Sequence, residues 1–157
     1  MNLPDGNYIG KITSIDLEVI ENDKNKNYGQ QQITFDLEVT EGDRARETTK
    51  AKRIMQPVEV QMLLKDETPE QHKNRQRNYL LFTLKQFANA GVVNAGDFNN
   101  VVAQLPRVKG NTVKFSVKDI NGYPYVTINR LVESVIPPEE MMKFNDLPDG
   151  NDAPFGD

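Results

Sequence analysis

The chain has no cysteine and one histidine, His72, in its 157 residues. The first absence excludes disulfides and thiolate zinc sites. The second leaves little for a His-based metal site or a Ser-His-Asp relay. His72 stands in the polar run from Thr68 to Asn78 and reads as a solvated loop residue. No stretch of about 18 apolar residues occurs, so no membrane span is expected. The opening Met1-Asn2-Leu3-Pro4-Asp5 has neither a basic region nor an apolar run. That predicts no secretory signal and agrees with a cytoplasmic protein. No GxxxxGK[ST] phosphate loop is present, and no cofactor is expected.

Charge is unevenly laid out. Residues 1–134 hold 18 of the 19 Lys and Arg but 17 of the 23 acids, a net of +1. Residues 135–157 hold one lysine, Lys143, and six acids, a net of −5. This last stretch also carries Pro137, Pro138, Pro148 and Pro154 and few aliphatics. The reading is one folded domain, 1–134, followed by a disordered acidic tail, 135–157. Clustered basic loops on a near-neutral body suit single-stranded nucleic acid. The pentapeptide Leu-Pro-Asp-Gly-Asn occurs at 3–7 and again at 147–151. Shared turn chemistry explains it most simply.

The hydrophobic pattern gives the element order. Tyr8 to about Ile20 is a strand whose apolar phase shifts after Gly10, from Ile12 to Ile15, Leu17 and Val19. A bulged, bent strand accounts for the shift. Gln32–Thr40 alternates cleanly, with Ile33, Phe35, Leu37 and Val39 inward. A third strand runs from about Glu47 to Met55, with Val58, Val60 and Met62 as a short extended continuation past Pro57. Lys65–Asn78 reads as polar loop. A helix then starts near Asn78, with Leu80, Leu81, Leu84, Phe87 and Ala88 at helical spacing and Gly91 as its stop. Asp97–Gln104 is a candidate second, short helix. Asn121-Gly122 closes a terminal hairpin that sets Lys118 against Tyr125, Val117 against Val126 and Phe115 against Ile128. The order β-β-β-α-β-β with a bent first strand predicts a mainly β protein, a five-stranded OB-fold barrel. A β-sandwich is the structural rival.

Candidate DNA-binding residues follow from this order. Arg44, Arg46, Lys50, Lys52 and Arg53 surround the second turn and third strand. Lys73, Arg75 and Arg77 lead into the helix. Arg107, Lys109, Lys114 and Lys118 line the fourth strand. Lys24, Lys26 and Tyr28 occupy the first long loop. In an OB barrel that loop and the last hairpin flank the ligand groove. The plain alternative is that these cations solvate loops. Flat side chains are the second requirement, because every base has a π-face. Tyr123 and Tyr125 point outward beside Lys118, though they also suit a role as end caps with wet hydroxyls. Phe35, Phe82, Phe87 and Phe115 read as core. Asp36 and Glu38 make the outer face of the second strand acidic. Either DNA passes beyond it, or the acids pair with Lys50 and Lys52 across the sheet.

Together, the Pro4-Asp5-Gly6-Asn7-Tyr8 opening, the strand Phe35–Thr40 ending in Glu41-Gly42, the Leu/Phe helix closing at Ala90-Gly91 and the hairpin resemble phage-encoded single-stranded DNA-binding proteins. Asp152-Ala153-Pro154-Phe155 is similar to the acidic tip of bacterial single-stranded DNA-binding proteins. There Phe is the last residue; here Gly156-Asp157 follow. The resemblance implies sequence-independent binding and protection of single-stranded DNA in phage replication or recombination, in a bacterial cytoplasm. It implies recruitment of replication and recombination proteins through Asp152, Pro154 and Phe155, and assembly into a homo-oligomer. It implies no enzymatic activity. Two other classes stay open: a phage structural or protein-interaction module, and a metal-dependent DNA-processing enzyme using Asp36 and Glu38.

Overall fold

A computed structural model describes residues 3–93 and 95–135. The acidic tail, with Asp152, Pro154, Phe155 and the second pentapeptide, lies outside the described residues. The elements are β1 (Gly6–Val19), β2 (Gln31–Val39), β3 (Thr48–Ile54), α1 (Val58–Gln61), α2 (Pro69–Ala90), α3 (Phe98–Val108), β4 (Thr112–Ile120) and β5 (Tyr123–Glu133). All strand pairs are antiparallel, in the order β3-β2-β1-β4-β5.

β1 serves two partners because it bends. Its first half pairs with β4, from Gly6 to Lys11, and its length from Gly10 pairs with β2. The register slips between Ile12 and Ser14, the bulge that the apolar phase shift predicts. Gly10 sits at the crossing. A Cβ there would lie 2.6 Å from the Glu38 carbonyl oxygen and 2.8 Å from the Phe115 ring, so only glycine lets the strands approach. Past the bulge Ile15 is half-buried, but Leu17 and Val19 are exposed. That half of β1 has no β4 beside it and overruns the core, so its apolar pattern does not mean burial.

Ile33, Phe35, Leu37 and Val39 of β2 are all buried, as their alternation predicts. They meet Val113, Phe115 and Val117 of β4, Val126 and Ile128 of β5, and Leu84 and Phe87 of α2 in one core. The rings of Phe35 and Phe87 lie 5.9 Å apart and tilted, a geometry worth about 0.5–1.5 kcal/mol beyond area burial. The hairpin register is the expected one, with Lys118 opposite Tyr125, Val117 opposite Val126 and Phe115 opposite Ile128. Asn121 and Gly122 both take positive φ, 54° and 87°, as a type I′ turn demands.

The helical region departs from the sequence reading in two places. The segment after Pro57 is a single helical turn, not a strand continuation: Asn27 Oδ1 accepts from the Val58 amide and caps it. Helix α2 begins at Pro69, so most of the stretch read as polar loop is helix. Thr68 and Gln71 form a reciprocal capping box at 3.1 and 3.0 Å, with Pro69 in the first turn. His72 therefore lies on a helix, half-buried, with Nε2 3.1 Å from the Val60 carbonyl oxygen. α3 extends the expected short helix to Val108, capped by the Asp97 carboxylate on the Asn100 amide.

The ladder stays open between β3 and β5, so the five strands form a sheet and not a hydrogen-bonded barrel. The two edges nevertheless lie side by side, and side chains occupy the gap. Arg53 of β3 donates to the Val126 carbonyl of β5. Gln86 Oε1 of α2 accepts from the Ile128 amide at 2.8 Å, and Asn89 Nδ2 donates to the Ile128 carbonyl at 2.9 Å. Tyr79 of α2 donates to the Ile54 carbonyl at the end of β3. An exposed edge would present unpaired backbone groups to other chains. Here the edge of β5 is latched by side chains, which is why backbone pairing across the seam is not needed.

Candidate nucleic-acid interface

A cleft of about 680 Å³ lies along this seam, walled by β3 on one side and the start of β5 on the other. Lys50 and Lys52 alternate outward on β3, and Tyr123 and Tyr125 line the opposite wall. Asp36 lies at its floor edge, on β2. Five of the sequence candidates thus meet in one place: Lys50, Lys52, Arg53, Tyr123 and Tyr125. Tyr123 is 76% exposed and Tyr125 42%, as base platforms must be. Lys118 stands opposite Tyr125 across the hairpin and is exposed.

On the acidic face Asp36 is paired, whereas Glu38 stands opposite Thr48 and not opposite a lysine. Asp36 sits across the ladder from Lys50, and their charged groups are 3.1 Å apart. The Ser14 hydroxyl donates to the same carboxylate at 2.5 Å. This hydrogen bond, then Lys50 and Lys52, holds the Asp36 carboxyl below its ordinary value despite its partial burial. Asp36 thereby tethers Lys50 in place, and Lys52 faces Thr34 with no acid directly opposite.

Arg53 differs from its neighbours. It is only 4% exposed, so it is not a surface cation. Strand alternation puts it on the inward side with Ala51, opposite Lys50 and Lys52. Its guanidinium donates to the carbonyls of Lys52 and Val126 and to Gln86 Oε1. Burial pushes its pKa down. The guanidinium carbon lies 5.1 Å from the Tyr125 ring centre and 5.6 Å from that of Phe82. Phe82 itself is 38% exposed and not core. Helical spacing alone hid this: Phe82 falls between Leu81 and Thr83 on the flank of α2, where the ring rests on Arg53.

The remaining candidates are dispersed. Arg75 is an internal clamp on α2. It meets Glu67 at 2.9 Å and donates to the carbonyls of Glu59 and Met62, fixing the loop between α1 and α2. Lys73 and Arg77 are exposed on the same helix, away from the loop in which they were expected. Lys26 pairs with Glu59, while Lys24 and Tyr28 are exposed in the β1–β2 loop. Arg44 pairs with Glu47 at 3.4 Å in the β2–β3 turn, where Arg46 takes a positive φ of 79°. Lys114 faces a separate hollow with Arg44 and Tyr8. Among the described residues no three His, Asp or Glu side chains gather as a metal site, and no helix is long and apolar enough to cross a membrane. No family model matches the chain, and no curated protein matches it.

The clamp makes one prediction about acid. Arg75, then the Leu64 amide, lowers the Glu67 carboxyl to about 2. A depressed carboxylate stabilises the fold fully above its unfolded pKa of about 4.3 and loses that effect as pH falls toward 2. Thermal melts of the wild type and Glu67→Gln are therefore expected to differ above about pH 5 and to converge as pH approaches 2. A difference that stays constant down the titration would remove Glu67 from the clamp.

Proposed function

We propose that this protein binds single-stranded DNA with little sequence preference, through the cleft between β3 and the β4–β5 hairpin. The observation that carries the reading is the meeting of two outward lysines, Lys50 and Lys52, with two exposed tyrosines, Tyr123 and Tyr125, across one groove. Cations neutralise phosphates and release counterions, and aromatic faces stack any base. As an OB-type fold, a five-stranded and partly open barrel, the domain would bind oligonucleotides on the face of its second and third strands, between the first and last loops. The adjacency of β3 and β5, the bulged β1 and the placement of α2 between β3 and β4 support it.

Binding is stoichiometric and needs no cofactor. The biological setting, phage replication or recombination in a bacterial cytoplasm, comes from the resemblance. So do homo-oligomer assembly and partner recruitment through Asp152, Pro154 and Phe155.

Fluorescence anisotropy of labelled oligothymidine, the matching duplex and single-stranded RNA, at low and high salt, tests the reading. Tight, salt-sensitive binding of the oligothymidine with little duplex binding is expected. Absence of binding at low salt would leave the protein-interaction module ahead.

A further inference from the structure

We infer that Phe82 of α2 is a second base-stacking position, joined to Tyr125 through Arg53, so that the strand crosses the seam from the hairpin onto the helix. The inference rests on the single-strand reading and extends its site to an element outside the sheet.

Three observations converge. Phe82 leaves 38% of itself exposed, whereas Phe35, Phe87 and Phe115 are fully buried. A phenyl ring left this far in water has surface to offer a base. The ring is also fixed: it lies over the Arg53 guanidinium, which the Tyr125 ring shares. Arg53 is held by carbonyls of Lys52 and Val126 and by Gln86, so both rings rest on an immobile cation. Finally, Arg53 Nε is buried and has no hydrogen-bond partner. Its remaining compensation is the electron-rich faces of the two rings.

The consequence is preorganisation. Rings already ordered lose little freedom when a base stacks on them, so more of the stacking energy appears as affinity. Lys85, one helical turn beyond Phe82 and exposed, offers a cation for the phosphate between the two bases. The ligand is thus a strand with at least two unstacked nucleotides, one on Tyr125 and one on Phe82. A duplex, whose bases are stacked, cannot present them.

The experiment uses the full chain, a labelled oligothymidine and an abasic oligonucleotide of the same length. Phe82→Ala is expected to weaken oligothymidine binding about 5- to 160-fold, the range for loss of one base–aromatic stack. Phe82→Leu, which keeps apolar packing but has no π-face, should behave alike and guards against a folding defect. Neither variant should change affinity for the abasic strand, because only phosphates remain to be held. Equal weakening on both strands would assign Phe82 a merely structural role and overturn the inference. So would wild-type affinity in both variants, provided that the wild type binds oligothymidine. Failure of the wild type to bind at all would overturn the single-strand reading first, and this inference with it.

Discussion

Replacing Arg53 by alanine is expected to cost about 3–5 kcal/mol of unfolding free energy. Three losses combine. The long buried stem leaves a cavity. The Val126 carbonyl on the edge of β5 loses its donor. Two rings, Tyr125 and Phe82, lose the cation between them. Arg53→Met keeps most of the volume and removes a buried charge whose desolvation is itself costly, so about 1–3 kcal/mol is expected there. Urea unfolding of both variants, read as the shift in midpoint at constant slope, measures the two values. An alanine variant within about 1 kcal/mol of wild type would mean that Gln86 and Asn89 hold the seam without Arg53.

The double substitution Tyr123→Ala with Tyr125→Ala is expected to weaken oligothymidine binding by about 2–6 kcal/mol, from about 1–3 kcal/mol per stacked base. Its signature is a loss of affinity with an unchanged dependence on salt, since no phosphate contact is removed. Lys50→Ala with Lys52→Ala should lower affinity at low salt and weaken its dependence on salt as well. Each lost phosphate contact reduces the slope of log affinity against log salt by about 0.7 for a single strand. Anisotropy titrations at four salt concentrations separate the two patterns. Tyrosine variants that retain wild-type affinity would show that their rings merely cap the end of the sheet.

Where a local rule acts alone, the sequence was readable. The alternation of β2 and the Asn121-Gly122 turn are such cases, and both pairing and burial follow them. The start of α2 was hidden because its first turns carry no apolar face. The signal present was chemical, Thr68-Pro69-Glu70-Gln71 as a capping box, while periodicity begins only at Tyr79. Arg53 follows Lys50 and Lys52 closely in sequence, but its shared parity with Ala51 turns it to the other side of the strand. Counting charge by cluster loses the two-residue period that decides which side of a strand a charge occupies. Phe82 and Arg75 are harder. Each owes its surroundings to a distant segment, β3 for one and the α1–α2 loop for the other, and no local pattern encodes such a meeting. Leu17 and Val19 show the converse, an apolar pattern without a core to face.

The latch between β3 and β5 has an evolutionary reading. A backbone ladder is built from groups that every residue but proline carries, so its hydrogen bonds outlast most substitutions. The bonds across this seam instead belong to Arg53 and Gln86. The stiffness of the groove wall is therefore inherited codon by codon. Substitution at either position would change how far the groove yields to a passing strand, and at Arg53 it would do so at a cost to the stability of the whole sheet.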